Sequence, residues 1–148
     1  MEIILFMGIQ ASGKTTFYLE RFFATHIRLN LDMLRTRRRE RVLLEACLDA
    51  QANAVIDNTN PARSDRQRYF EMLAEQDVRV TGYYFRSSLE ECSERNARRE
   101  GKAKIPEAGL RNTLGRLELP SFDEGFDELY YVSLTKDGFD VQPWRSEA

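Results

Sequence analysis

Apolar and polar positions change their period several times along this chain. Glu2-Ile3-Ile4-Leu5-Phe6-Met7 is a short continuous apolar run, which predicts a strand buried on both faces, the kind found in parallel sheets. Lys14 to about Ala24 predicts a helix, with Phe17, Tyr18, Leu19, Phe22 and Phe23 as its apolar mass. Ile27-Arg28-Leu29-Asn30 predicts a short second strand. A helix from about Thr36 to Ala52 follows, with Leu44, Cys47 and Leu48 at i, i+3 and i+4. Ala54-Val55-Ile56 predicts a third strand ending in Asp57-Asn58-Thr59-Asn60-Pro61. Asn60 reads as an N-cap with Pro61 at the first helical position of a helix running to about Gln76. Val78 to Phe85 is the most β-like stretch, and Leu89 to Glu100 predicts a helix closed by Gly101. Gly101 to Ile105 reads as a loop, Pro106 opens a helix reaching about Leu117, and Leu129 to Leu134 predicts the last core strand. Asp137-Gly138 turns the chain into a short tail over about 135–148, carrying Val141 and Trp144. Strands alternating with helices predict an α/β fold, a parallel sheet flanked by helices on both faces.

Composition narrows the class. At 148 residues the chain predicts one domain over 1–148, with neither repeat nor linker. Hydrophobic residues at 42% with only 8 Gly and 4 Pro exclude collagen-like and disordered chains. The longest apolar run, Ile3 to Ile9, is far short of the roughly 20 residues a membrane helix needs. Cys47 and Cys92 lie far apart and outside any CxxC pair, so neither a disulfide framework nor a zinc site is expected. With the Met1-Glu2 opening, which lacks a basic leader, this predicts a cytoplasmic protein without a membrane. Net charge is −2 but uneven: residues 1–106 carry 18 Lys/Arg against 15 Asp/Glu, and residues 107–148 carry 4 against 9. Arg35, Arg37, Arg38, Arg39 and Arg41 form one basic cluster; Arg95, Arg98, Arg99, Lys102 and Lys104 form another. Two such clusters suit an anionic ligand. The single histidine, His26, cannot support chemistry that needs two imidazoles.

Gly8-Ile9-Gln10-Ala11-Ser12-Gly13-Lys14-Thr15 matches G-x-x-x-x-G-K-[ST], directly after an apolar strand and before a helix. Such a loop curls its N–H groups around phosphate oxygens at a helix N-terminus. The motif predicts a P-loop NTPase fold that binds a nucleoside triphosphate with Mg²⁺, through Gly8, Gln10, Ala11, Ser12, Gly13, Lys14, Thr15 and Thr16. Lys14 would reach the β- and γ-phosphates, and the Thr15 hydroxyl would face the metal.

Ligands of doubly wound sheets sit at the carboxyl ends of strands, and there the second strand delivers Asn30-Leu31-Asp32-Met33-Leu34-Arg35. Asp32 could accept the proton of an attacking hydroxyl, and Arg35, on the same side of a helical turn, could hold an acceptor phosphate; a capping Asp beside a surface Arg is the bland alternative. Asp57, Asn58 and Asn60 close the third strand as candidate substrate contacts, though Asp57 could equally order the loop and Asn60 cap the helix. Arg95, Arg98 and Arg99 stand at i, i+3 and i+4 before a Gly/Lys loop, which suits a small helical lid over about 95–106 as well as it suits a solvated helix face. The arginines from Arg37 to Arg41 could line an acceptor groove or face solvent.

The chain resembles the kinase domain of polynucleotide 5′-kinases, including the kinase half of the polynucleotide kinase–phosphatases. The resemblance rests on Gly8–Thr15, Asn30-x-Asp32, Ile56-Asp57-Asn58-Thr59-Asn60-Pro61, Arg95-Asn96-x-x-Arg99, Ile105-Pro106, and Leu119-Pro120 followed by Glu124-Gly125-Phe126, in the family's order from about residue 3 to 134. It implies transfer of the γ-phosphate of ATP or GTP to a 5′-hydroxyl of DNA or RNA. In that picture Lys14 and Thr15 hold phosphate and Mg²⁺, Asp32 is the general base, Arg35 contacts the acceptor phosphate, and Arg99 is the lid arginine. One departure is Leu31, where many members have an arginine before the aspartate. A kinase of a small hydroxylated molecule (nucleoside, sugar or nucleotide-sugar) and a non-kinase NTPase or binding module are the other readings. No obligate protein partner is expected, although a nucleotide-dependent switch would need partner surfaces.

Overall fold

β1 (Glu2–Met7) is the third strand of a six-stranded sheet in the order β2 (Ile27–Leu29), β3 (Ala54–Ile56), β1, β4 (Arg79–Phe85), β5 (Glu128–Thr135) and β6 (Gly138–Pro143). The first five run parallel and β6 pairs antiparallel with β5. The computed structural model describes residues 1–145, the Lys102 side chain excepted, so residues 146–148 of the predicted tail lie outside it. The unbroken apolar run of β1 has a direct cause, because successive side chains of a strand point to opposite faces and both faces are covered. Ile3, Leu5 and Met7 pack with Leu44 and Cys47 of α3 (Arg37–Ala50) and with Tyr69 and Leu73 of α4 (Arg63–Leu73). Ile4 and Phe6 pack on the other face with Phe17 and Tyr18 of α1 (Lys14–Arg21).

Several boundaries differ from the sequence pattern, each for a tertiary reason. α1 stops at Arg21 instead of near Ala24, since Phe22 leaves helical geometry and turns its ring onto Phe6, Phe17 and Tyr83, at centroid distances of 6.1, 5.8 and 5.7 Å. Asn60 is not the N-cap of α4. It sits at φ +42° with its side-chain amide donated to the Phe6 carbonyl at 2.8 Å, and α4 begins at Arg63, where the Asp65 carboxylate accepts from the Ala62 N–H. α5 (Leu89–Ala97) ends before Arg98 and is followed by a 3₁₀ turn at Gly101–Ala103 and by α6 (Glu107–Arg116). The tail predicted from about residue 135 contains β6, whose Phe139 and Val141 pack against the Ile4–Phe6 face of the core. Trp144 continues this edge, its ring 5.5 Å from Tyr84 and 6.1 Å from Tyr131. Gly82 lets the chain after α6 close onto β4: a Cβ there would lie 2.6 Å from the Phe126 ring.

Candidate active site

The P-loop bridges β1 and α1. Gly8 and Gly13 adopt φ of +150° and +102°, and a Cβ on Gly8 would sit 3.0 Å from the Phe85 carbonyl. The loop is pinned from outside by Gly8 N–H on the Thr59 carbonyl and Ile9 N–H on the Ser87 hydroxyl, both at 3.0 Å. Ser12 is buried, and Gly13 stands as N-cap of α1 with no side-chain cap and no acidic residue in the first turn. The helix therefore offers its first N–H groups, and the positive end of its dipole, to an anion. Thr16 is exposed on that same turn.

Lys14 lies buried within the loop, its ammonium donating to the Gly8 and Ile9 carbonyls at 2.8 Å each and to Ser12 Oγ at 3.4 Å. Burial lowers its pKa to about 8, and the Arg99 charge adds to the lowering. Asp57, Cys92 and Asp32 act in the other direction. Lys14 thus shares one electrostatic neighbourhood with Asp32, Asp57 and Arg99.

At the end of β3, Asp57 is 1% exposed and its Oδ2 accepts from Thr15 Oγ1 at 3.3 Å. The same oxygen accepts from Arg28 Nε at 2.8 Å, and Arg28 Nη2 donates to Thr15 Oγ1 at 3.1 Å. A hydroxyl and a carboxylate side by side form a hard-oxygen pair, the donor set that suits Mg²⁺, which takes one or two protein oxygens and keeps waters on its other positions. Among the described residues no cluster of three or more His, Cys, Asp or Glu forms a fuller cage.

Asp32 rides on α2 (Leu31–Leu34), a single turn after β2 that is fixed by two asparagines. Asn30 caps α2, its Oδ1 accepting from Met33 N–H, and its amide donates to the Asp57 carbonyl at 2.6 Å. Asn58 Oδ1 accepts from Leu31 N–H at 2.9 Å, and its amide donates to Glu40 Oε2 at 2.9 Å and to Tyr69 Oη at 3.2 Å. The Tyr69 hydroxyl donates to Glu40 Oε2, and Arg37 donates to both Glu40 and Tyr69. Burial, with the Glu40 charge beside it, pushes the Tyr69 hydroxyl up to about 12, so it stays a donor. The Asp32 carboxylate is exposed and has no hydrogen-bond partner among the described residues. Arg35 is not on a continuing helix with Asp32. It leaves α2 at φ +78° with an exposed side chain.

α5 and α6 form a helical pair against the loop. Ile9 and Ala11 pack with Cys92 and Leu110, Arg95 donates to the Ala11 carbonyl at 2.9 Å, and Gln10 Nε2 donates to Thr113 Oγ1 at 3.0 Å. Gln10 Oε1 is buried without a partner among the described residues. Asn96 closes the base of the 97–104 segment by exchanging hydrogen bonds with the Ile105 backbone at 2.6 and 2.8 Å. Arg99, half-buried, donates to the Ala103 carbonyl, while Arg98 is exposed.

Of the residues singled out from sequence, the P-loop, Asp32, Asp57, Asn58, Arg95 and Arg99 come together here. The Asn60 side chain is committed to the Phe6 carbonyl, and that of Arg35 makes no hydrogen bond among the described residues. Sequence reasoning missed Arg28, Glu40 and the pair Arg66–Glu124, whose guanidinium also donates to the Asn60, Pro61 and Glu118 carbonyls. A signal existed for Arg28, a cation between Ile27 and Leu29 in a parallel strand. None existed for Glu40 or Arg66, which sit in polar helical stretches.

Comparison with known proteins places this geometry. A family model described as an AAA domain matches residues 3–120. The bifunctional polynucleotide phosphatase/kinase of Schizosaccharomyces pombe is 28% identical over 138 residues, which cover 88% of this chain; the chain spans about a third of that relative's length. A sugar kinase from Janibacter sp. HTCC2649 superposes with a TM-score of 0.67 at 20% identity, covering 88% of this chain and 85% of the other. The Pnkp1/Rnl/Hen1 RNA repair complex gives 0.64 at 21% identity, over 99% of this chain and 49% of the other. No helix among the described residues is long and apolar enough to cross a membrane. With a matched model over most of its length and a strand–P-loop–helix site at the head of a mostly parallel sheet, the chain belongs to the P-loop kinase family.

Proposed function

We propose that this chain transfers the γ-phosphate of ATP or GTP to a hydroxyl group, with the 5′-hydroxyl end of a polynucleotide as acceptor. One juxtaposition carries the reading: an open Asp32 carboxylate in the electrostatic field of Lys14, beside the uncapped N-terminus of α1. The nucleotide phosphates take the free N–H groups of α1, and Lys14 leaves the Gly8 and Ile9 carbonyls for the β- and γ-phosphates. Thr15 and Asp57 hold Mg²⁺, which when bound neutralises phosphate charge. The acceptor O–H donates to Asp32. As its oxygen bonds to the γ-phosphorus, the proton passes to the carboxylate and the bond to the bridging oxygen breaks, leaving the nucleoside diphosphate. Arg95 and Arg99 neutralise charge from the lid, and Arg35 holds an acceptor phosphate, with Asn58 fixing the wall between them.

The polynucleotide acceptor is supported by the named phosphatase/kinase relative and by the exposed arginines Arg35, Arg38, Arg39 and Arg41, which follow Asp32 in the chain. The superposition on a sugar kinase favours a second reading, a small hydroxylated acceptor at the same site. The test is transfer of labelled γ-phosphate to a 5′-hydroxyl oligodeoxynucleotide, a 5′-hydroxyl oligoribonucleotide and a mixture of nucleosides and sugars, with Asp32→Asn as control. Label on an oligonucleotide that disappears in the control upholds the first reading. Label only on small acceptors selects the second, and released phosphate without any labelled acceptor overturns both.

A further inference from the structure

The guanidinium of Arg28 stands on the same two oxygens that suit a divalent ion. It closes a triangle with Asp57 Oδ2 and Thr15 Oγ1, with sides of 2.8, 3.1 and 3.3 Å. The Asp57 side chain is 2% exposed, so its charge is removed from water and must be balanced by a partner. Arg28 is that partner, and at 25% exposure its own side chain keeps one flank in solvent. Its neighbours in β2, Ile27 and Leu29, are apolar, and Leu29 is buried, so the cation is carried into the site by the edge strand itself.

A guanidinium and Mg²⁺ cannot both use this oxygen pair. Mg²⁺ binds oxygen at about 2.0–2.1 Å and demands near-octahedral geometry, which would bring it against N–H groups aimed at those same oxygens. We propose that Arg28 is a resident counter-cation of the metal position: it holds Thr15 and Asp57 in register while the site is without nucleotide, and it is displaced when the metal arrives with the nucleotide. This rests on the reading of Thr15 and Asp57 as the metal side of a nucleotide site. Arg28 is thereby a positioning residue that acts through Asp57 and Thr15. The metal alone binds weakly, because it must expel a charge-assisted pair and gives the freed guanidinium nothing in return. Metal with nucleotide binds well, because the nucleotide's own contacts with the P-loop outweigh the cost of releasing Arg28 to the solvent that one of its flanks already meets. The order of loading is built into the strand.

The test is thermal unfolding of wild type, Arg28→Met and Arg28→Lys in EDTA, in Mg²⁺ alone, and in Mg²⁺ with ADP. Arg28→Met should melt below wild type in EDTA, since Asp57 is left buried and unpaired. Mg²⁺ alone should raise the melting temperature of Arg28→Met and leave wild type almost unmoved. The half-saturating Mg²⁺ concentration should fall by roughly tenfold or more, the factor one lost charge-assisted hydrogen bond gives. Arg28→Lys keeps the charge without the fork and should fall between the two; it carries the test if Arg28→Met does not fold. Equal responses of all three proteins to Mg²⁺ alone, with stabilisation by Mg²⁺ and ADP intact, overturn the role of Arg28. Weaker stabilisation of the variants by Mg²⁺ and ADP than of wild type also overturns it, since it would make Arg28 a permanent part of the nucleotide site. If Mg²⁺ and ADP stabilise none of the three, the nucleotide-site reading itself fails, and the proposal with it.

Discussion

Replacing Glu124 by alanine removes the partner of an arginine that has no access to water. The Arg66 and Glu124 side chains are 0% and 3% exposed, joined by two hydrogen bonds of 2.7 and 3.1 Å, and the carboxylate also accepts from Ser121 N–H at 2.9 Å. Breaking such a pair from one side leaves a buried charge uncompensated and costs about 3–5 kcal/mol. A domain of this size loses about 2–4 °C in Tm per kcal/mol, so Glu124→Ala should melt about 6–20 °C lower than wild type. The same guanidinium holds the Asn60, Pro61 and Glu118 carbonyls, so the loop behind Asp57 and Asn58 loosens and turnover falls with it. Circular dichroism melts and urea titrations measure the loss. The pair Arg66→Met with Glu124→Leu should recover part of it, because removing both charges lifts the burial penalty that removing one creates. A Tm drop below about 2 °C for Glu124→Ala, against the expected shift, would mean that Arg66 does not depend on Glu124 for its charge balance. A double variant no better than the single would mean the same.

Three further outcomes are expected. Asp32→Asn should lower kcat by about 10²–10⁴ with nucleotide affinity unchanged, as measured by calorimetry and label transfer; lost affinity with kcat preserved would contradict a base role. Arg99→Ala should lower kcat more than nucleotide affinity, and a change in Tm alone would make Arg99 a structural residue. Lys14, held near pKa 8 by burial, binds phosphate as the cation, so nucleotide Kd should rise about tenfold from pH 7 to pH 9 and stay flat in Lys14→Arg, which does not titrate there. For stability the sign runs the other way: the unfolded chain binds the extra proton between pH 8 and 10.5, so the cost of the buried charge is present below pH 8 and fades above it.

Features that depend on short-range pattern follow from the order of residues alone. The apolar run of β1, the glycine spacing of the P-loop and the Asp32 and Asp57 positions at strand ends were all legible, because strand, loop and helix start are fixed by neighbouring residues. β6 was legible in principle, since Phe139 and Val141 alternate with Asp140 and Gln142, but six residues after a turn carry little pattern until β5 supplies the edge they pair with. Which polar groups are buried, and with whom, depends on the folded arrangement of distant segments. Arg28 finds Asp57, Asn58 finds Glu40 and Arg66 finds Glu124 across 29, 18 and 58 residues of chain. Asn60, read as a cap, was claimed by the Phe6 carbonyl for the same reason. A charged or amide side chain has no preferred partner in sequence; burial makes an unpaired one costly, and the fold determines which partner is within reach.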